Sequence, residues 1–525
     1  MDCANRAPCV HFTDATWNRD SPCSTFAPPP VSIDRVANLP ENPVVAAPSP
    51  ILILPFVLLL GAMAIAPVLA PRWWTTYYPH VALGLGAVTT AVYLFVLRDV
   101  ASLGHAGHEY VSFIALIGSL FVVAGGISIQ LPGGATPLAN VLLLFIGALA
   151  ANVLGTTGAA MLLIRPWIQM NQGRIAAYHI AFFIFLVANV GGCLTPIGDP
   201  PLFLGYLQGV PFWWVAQKCW PMWAVGVGLL LAIFFVVDQA AFARAQKAPR
   251  PSRPTDRETP NIQLPTSKEG DVGAGKLALT PALSPGEREK RFPRRGNIGW
   301  RGWSWFRGSR REMVQGNLPA AWRVDGLANL AFLAVILGAV FITHPPFLRE
   351  ALMLAAAAGS YFTTQKSVHA ANEFNFHPVS EVAVLFAGLF ATMIPALAWL
   401  NHGAAALLGP NPPAALFYWG TGCLSAVLDN APTYLGFLNV LFGVAGTREI
   451  APLLDHKTAQ VLAISIGAVC FGAATYIGNG PNFMVKAIAA QRGVPLPSFL
   501  AFILKFSLPC LLPVLLAVWW LFFRD

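Results

Sequence analysis

One acidic side chain lies where an apolar helix pattern is interrupted. Residues Gly191–Phe203 read GGCLTPIGDPPLF, which places Asp199 directly before Pro200 and Pro201. Proline lacks a backbone donor and clashes with the preceding turn, so a straight helix cannot cross this stretch. Inside a membrane, free backbone groups and a carboxylate are tolerated only where protein or a wet cavity satisfies them. The stretch therefore predicts an ion site at a broken helix.

The second half of the chain repeats this arrangement. Residues Thr475–Phe483 (TYIGNGPNF) match Thr195–Phe203 (TPIGDPPLF) at five of nine positions. An interrupted apolar stretch precedes each break, the first around Asn152 and the second around Asp429 and Asn430. The spacing from interruption to break is 43 residues in the first half and 45 in the second. Two features at matching separations indicate an internal repeat, with an acid near the breaks of each half.

The composition places these breaks in a membrane. Hydrophobic residues make up 56% of the 525 residues, charged residues 11%, and the mean hydropathy is +0.59. Soluble domains average about 25% charged residues. A crossing helix needs about 20 apolar residues. Seven segments meet that requirement: Ile51–Ala70, His80–Leu97, Val111–Leu131, Trp213–Val237, Gly326–Thr343, Val382–Leu400 and Leu500–Phe523.

The net charge of +9 does not indicate a nucleic-acid partner, because it is concentrated in one stretch. Residues 239–324 hold 17 Lys and Arg against 7 Asp and Glu. A basic connection between two apolar segments indicates a cytoplasmic loop. The composition of this connection predicts disorder. The eight cysteines form no C-x-x-C pair, so neither a zinc site nor a disulfide framework is indicated. We expect no cofactor.

These patterns predict an all-α polytopic membrane protein with two inverted repeats. Each repeat has about five transmembrane helices, one re-entrant hairpin and one broken helix. The hairpin is re-entrant because its arms, of about a dozen residues each, are too short to span the membrane. The predicted boundaries are a disordered tail at 1–48, a first repeat at 49–238 (hairpin 138–168, broken helix 176–208), the basic cytoplasmic insertion at 239–324, and a second repeat at 325–525 (hairpin 412–445, broken helix 459–490).

The same motifs resemble the ion transporter superfamily, which includes citrate–metal symporters, sodium/proton antiporters, arsenite pumps and dicarboxylate carriers. The resemblance rests on GGCLTPIGDPPLF, on SAVLDNAPTYLGF around Asp429, and on EVAVLFAGLFATMIP at Glu381–Pro395. It is closest to the bacterial branch of sodium/proton antiporters and citrate transporters. The resemblance implies hairpin tips and broken helices that meet at mid-membrane, a transport domain that moves against a scaffold, and a homodimer.

The resemblance also implies one cation- or substrate-binding site in each half. The first comprises Asn152, Thr156, Thr157, Thr195, Gly198 and Asp199; the second comprises Asp429, Asn430, Thr433, Thr475, Gly478 and Asn479. Asp199 and Asp429 are the expected sodium ligands. The Ser-Asn-Thr tips of the dicarboxylate carriers are replaced here by Ala151-Asn152 and Asp429-Asn430, which weakens a carboxylate assignment.

The resulting hypothesis is sodium/proton exchange in the cytoplasmic (inner) membrane. Desolvation disfavours a buried carboxylate anion, so Asp199 and Asp429 would each take either a proton or a sodium ion. The alternative substrate is citrate or another carboxylate, alone or with a metal. Both acids could instead cap half-helices. An enzyme is not predicted, because the sequence lacks a nucleophile–base pair or a metal motif such as H-E-x-x-H.

Overall fold

The structure is a computed structural model that describes residues 49–247 and 322–524. The predicted disorder of the tail and of most of the insertion falls on residues 1–48 and 248–321, outside the described residues. The first half contains α1 Pro50–Leu69, α2 Pro71–Leu97, α3 Val100–Gly125, β1 Ser128–Gln130, α4 Pro137–Met170, α5 Ala177–Leu186, α6 Pro200–Leu207 and α7 Phe212–Lys247.

The second half repeats this order with more short helices. It contains β2 Arg323–Asp325, α8 Asn329–Ala339, α9 Leu348–Thr363, α10 Lys366–Ala371, α11 His377–Leu408, α12 Ala414–Ser425, α13 Asn430–Ala445, α14 Ile450–His456, α15 Thr458–Gly472, α16 Gly480–Gln491 and α17 Phe499–Phe522. Among the described helices, seven are long and apolar enough to cross a membrane, and the bent pair α13–α14 raises this number to eight. An all-α polytopic membrane protein is confirmed.

Helix α4 is one of those seven, but it turns back on itself. The helix has 34 residues, and a straight helix of that length would extend for about 51 Å, yet its two ends are in contact. The Asn140 side chain donates to the Asn171 Oδ1 at 2.8 Å. The reversal occurs at Gly155, whose φ of 72° and ψ of 156° interrupt the helix. The segment is therefore a hairpin of two arms with Gly155 at its tip.

Helices α12 and α13 form the corresponding pair in the second half. They are separated by residues 426–429, and the ring centroids of Phe417 and Phe437 lie 6.4 Å apart across the pair. Each of these phenylalanines lies about two turns from the connection. The two helices consequently run back along each other, as the arms of α4 do.

The two predicted breaks are also present. Helix α5 ends at Leu186 and α6 begins at Pro200, while α15 ends at Gly472 and α16 begins at Gly480. Proline occupies the first turn of both α6 and α16, where a missing backbone donor costs nothing. The residues between the half-helices keep backbone groups that no helix satisfies, so they depend on side chains for partners.

Corresponding helices of the two halves pack against each other in the same way. Helix α3 packs against α9, and α11 packs against α2. Helices α3 and α11 also meet each other, where the Phe113 and Phe386 rings stack with centroids 4.7 Å apart. A two-fold relation between the halves predicts this reciprocal pair of contacts. The opposite orientation of the repeats across the membrane stays a prediction.

Two predicted boundaries are wrong. The insertion was expected to begin at residue 239, but α7 continues to Lys247, because QAAFARAQK consists almost entirely of good helix formers. At its other end, Arg323–Asp325 forms an antiparallel strand pair with Ser128–Gln130. The expected span Gly326–Thr343 contains only the 11-residue helix α8. At about 16 Å, this helix is too short to cross the membrane alone.

Replacing Gly155 with alanine tests the hairpin tip. Its φ of 72° and ψ of 156° lie in a region that is almost exclusive to glycine. An added Cβ would also lie 3.3 Å from the Ile197 carbonyl oxygen. We expect Gly155→Ala to lower the free energy of unfolding by about 1–3 kcal/mol, measured by thermal unfolding in detergent. Gly228→Ala, a helical site with nothing within 4 Å of the added atom, is the control. An equal melting temperature for both variants would contradict the tip assignment.

Candidate functional site

The carboxylate of Asp199 is buried inside the described bundle. It occupies the N-cap position of α6, and the residue is 1% exposed. Three neutral side chains donate hydrogen bonds to it. Thr156 donates to Oδ1 at 2.7 Å, Asn430 donates to Oδ2 at 2.5 Å, and Asn479 donates to Oδ1 at 3.2 Å. The structure thus brings together candidates that the sequence assigned to two separate sites.

These four residues mark the starts of four half-helices. Thr156 begins the second arm of the α4 hairpin, Asn430 begins α13, and Asp199 and Asn479 precede α6 and α16. The N-terminus of a helix carries a partial positive charge and unpaired N–H groups. The convergence of four such ends favours negative charge at this point.

Helix C-termini reach the same region. Helices α5, α12 and α15 end at Leu186, Ser425 and Gly472, directly before the breaks and the second hairpin connection. The last carbonyl oxygens of a helix lack intrahelical partners and carry a partial negative charge. The region therefore combines donors for an anion with hard oxygen ligands for a cation.

A threonine in each break makes the same two hydrogen bonds. Thr195 donates its hydroxyl to the Asn152 carbonyl at 2.6 Å and accepts from the Gly198 N–H at 3.1 Å. Thr475 donates to the Ala426 carbonyl at 2.7 Å and accepts from the Gly478 N–H at 3.0 Å. Each threonine consequently fastens its break to the tip of the hairpin in its own half.

Close backbone approaches require glycine in both breaks. A Cβ added to Gly198 would lie 2.0 Å from the Gly192 carbonyl oxygen. One added to Gly478 would lie 2.8 Å from the Gly472 carbonyl oxygen. In each break the two glycines are six residues apart, so the repeat extends to the internal packing of the loop.

Asn152 and Asp429 have more local contacts than the sequence suggested. The Asn152 amide donates to the Ala148 and Gly191 carbonyls and accepts from the Leu194 N–H at 2.8 Å. It joins the hairpin to the first break without a described hydrogen bond to Asp199. The Asp429 carboxylate accepts from the Ala431 N–H at 3.1 Å, the capping contact that was the alternative for this residue.

The remaining candidates flank the centre. The Thr433 hydroxyl donates to the Asp429 carbonyl at 2.9 Å, one turn into α13. Thr157 lines a small cavity together with Asp199, Ile197 and Phe203. This cavity lies between the tip of the α4 hairpin and the start of α6. Among the described residues, no group of three His, Cys, Asp or Glu could hold a metal ion.

Two further asparagines connect the breaks, and the sequence did not single them out. The Asn189 amide donates to the Asn482 Oδ1 at 2.7 Å and accepts from Asn479 at 3.1 Å. Asn482 in turn donates to the Thr475 and Gly472 carbonyls, each at 2.9 Å. The signal was present, because both asparagines interrupt apolar segments where a buried polar group needs a partner.

A second buried carboxylate was also missed. Asp238 on α7 is 0% exposed. It accepts from Arg174 at 2.7 and 2.9 Å, from Tyr178 at 2.7 Å and from Asn140 at 2.9 Å. The His179 Nε2 lies 3.3 Å away. This paired acid joins the base of the α4 hairpin to α5 and α7, in contrast to Asp199, which has no cationic partner among its described hydrogen bonds.

Comparison with known families agrees with this architecture. A family model described as "Putative citrate transport" matches residues 46–270 and 306–523, which is most of the chain. The chain belongs to this citrate transport family. It is a multi-pass membrane protein and a secondary transporter, within the citrate transporter branch of the ion transporter superfamily. A search of curated proteins finds no match.

Thr156→Val tests the hydrogen bond to Asp199 in this transporter. The hydroxyl donates to Oδ1 at 2.7 Å, and a hydrogen bond to a charged group contributes about 1.5–3 kcal/mol. Valine keeps the shape but leaves that oxygen with only the longer contact from Asn479, at 3.2 Å. We expect at least a roughly tenfold rise in the substrate concentration for half-maximal transport, measured in proteoliposomes. Thr156→Ser, which retains the hydroxyl, should stay close to wild type; equal effects of both substitutions would exclude this role.

Proposed function

We propose that the chain exchanges sodium ions for protons and that Asp199 carries both in turn. The observation that supports this is a carboxylate with 1% exposure whose three described partners are all neutral. Burying an uncompensated charge is strongly unfavourable, and neutral donors and helix ends offset only part of that cost. A proton or a cation at Asp199 removes the remaining charge.

The surrounding oxygens suit a sodium ion. The Asn430 Oδ1 is buried and has no hydrogen-bond partner in the described part of the chain, although its amide nitrogen contacts Asp199. A carboxylate, an amide oxygen and the Thr156 hydroxyl form a set of hard oxygen ligands. Sodium held by this set would satisfy the Asn430 oxygen as well as the charge on Asp199.

Competition for one carboxylate provides the coupling. A protonated Asp199 cannot ligate sodium, and a sodium-bound Asp199 cannot keep the proton, so the gradient of one ion drives the other. Asp429 is the second proposed carrier. Its present contact with the Ala431 N–H leaves it the weaker candidate, because a capping carboxylate is already partly stabilised. The proposed location is the cytoplasmic membrane.

Replacing Asp199 with asparagine tests the proposal directly. An amide side chain at this position could neither release a proton nor balance the charge of a sodium ion, so sodium-driven proton flux in proteoliposomes should fall to the level of protein-free vesicles. Asp199→Glu should keep measurable exchange. Asp455→Asn makes the same chemical change at an exposed acid and serves as the control. Exchange at the wild-type rate in Asp199→Asn would refute the assignment.

Cation-coupled citrate uptake is the second candidate, and the family match favours it. Four half-helix N-termini suit an anion, and a metal ion bound to citrate would offset repulsion from Asp199. Sodium-dependent uptake of labelled citrate, without sodium/proton exchange when citrate is absent, is the outcome expected for this candidate. Exchange in citrate-free buffer is the outcome expected for the first.

A further inference from the structure

Helix α3 carries a buried carboxylate that the proposed exchange does not use. The Glu109 side chain is 8% exposed, and its Oε1 accepts from the Gln208 Nε2 at 2.5 Å. The same oxygen lies 3.1 Å from the Nε2 of His105, whose side chain is 72% exposed. A hydrogen bond to a carboxylate is stronger than one between neutral groups. This contact therefore links α3 strongly to the residue that follows α6.

Gln208 and Asp199 lie at opposite ends of one half-helix. Asp199 is the residue directly before α6, and Gln208 is the residue directly after it. Nine residue steps along a helix separate the two by about 14 Å. A short continuous helix moves as a rigid element, so a displacement at one end reaches the other. The contact that holds Gln208 consequently affects the position of the Asp199 carboxylate.

Helices α3 and α6 both line the cavity beside Asp199. Leu116 and Leu120 belong to α3, and Phe203 belongs to α6. Glu109 lies about 10 Å along α3 from Leu116, toward the start of that helix. Of the hydrogen bonds between described side chains, the one from Gln208 to Glu109 alone joins α3 to residues 199–208. This bond therefore fixes the separation of the two helices at the end of α6 away from Asp199.

We propose that Glu109 is a positioning residue for Asp199. By holding Gln208, it keeps α6 at the distance from α3 at which the Asp199 carboxylate meets its three neutral donors. Without this link α6 shifts and the carboxylate binds sodium more weakly, so Glu109 acts through α6 and not by contact with the ion. The inference rests on the proposed role of Asp199 as the sodium carrier, and it adds a residue outside the central cluster.

Sodium-driven proton flux in proteoliposomes tests this role. Glu109→Leu removes the acceptor, and we expect the sodium concentration for half-maximal exchange to rise about tenfold, with little change in the maximal rate. Gln208→Leu should have the same effect. The double variant should be no more impaired than either single variant, because all three lack the same bond. Additive effects of the two substitutions would overturn the proposal.

Exchanging the two residues should restore the bond with its roles reversed. Glu109→Gln combined with Gln208→Glu places the amide donor on α3 and the carboxylate after α6, so the half-maximal sodium concentration should return close to the wild-type value. Glu109→Gln alone leaves two neutral amides and a weaker bond, and it should give an intermediate value. An exchanged pair that stays as impaired as Glu109→Leu would contradict the positioning role.

Tyr206→Phe is the matched control. The Tyr206 hydroxyl donates to the Val340 carbonyl at 2.9 Å, which joins the last turn of α6 to the end of α8. Because α8 lines no part of the cavity beside Asp199, this variant should keep the wild-type half-maximal sodium concentration. A rise equal to that in Glu109→Leu would overturn the proposal. So would a Glu109→Leu protein with a lower melting temperature and an unchanged half-maximal sodium concentration, the result expected of a purely structural bond.

The failure of this inference differs from the failure of the proposed function. Loss of exchange in Asp199→Asn together with wild-type exchange in Glu109→Leu would reject the positioning role alone. Wild-type exchange in Asp199→Asn would instead reject Asp199 as the carrier.

Discussion

The constraint on which the whole bundle depends is the stabilisation of one carboxylate that water barely reaches. Asp199 has no described cationic partner, so its charge relies on three neutral donors and on the N-termini of four half-helices. A continuous helix cannot place its N-terminus at mid-membrane, because its ends lie at the two surfaces. Breaking two helices and folding two hairpins is what creates four such ends in the interior.

The unwound segments that result have their own requirements. Each break must satisfy backbone groups that no helix bonds. The Asn152 amide donates to the Gly191 carbonyl, and the Thr195 and Thr475 hydroxyls accept from the Gly198 and Gly478 N–H groups. Glycine allows the chain to turn back on itself within six residues. The asparagine pair Asn189 and Asn482 then ties one break to the other. The central cluster is therefore one hydrogen-bonded assembly to which both halves contribute, rather than two independent sites.

The sequence alone was sufficient to predict the features that depend on residues close together in the chain. Proline and glycine within apolar runs predicted both breaks, and the short arms around Asn152 predicted a hairpin. The sequence did not indicate which residues meet across the halves. Asn430 lies 231 positions from Asp199, and no local pattern specifies that contact. Asp238 was missed for a similar reason, since its partner Arg174 is 64 positions away. The end of α7 differs from the prediction because the residues after Asp238 are good helix formers, and they continue the helix to Lys247 past the start of the basic stretch.

The short strand pair between Ser128–Gln130 and Arg323–Asp325 has a consequence for how this chain can vary. It fastens the start of the second half to the end of α3, and the Asn329 side chain adds a bond to the Gly126 carbonyl at 2.7 Å. These contacts therefore fix the position at which the chain rejoins the bundle after the connection. Additions or deletions in the connection between Lys247 and Trp322 can accumulate without shifting α8, which makes this connection a suitable place for a purification or reporter tag.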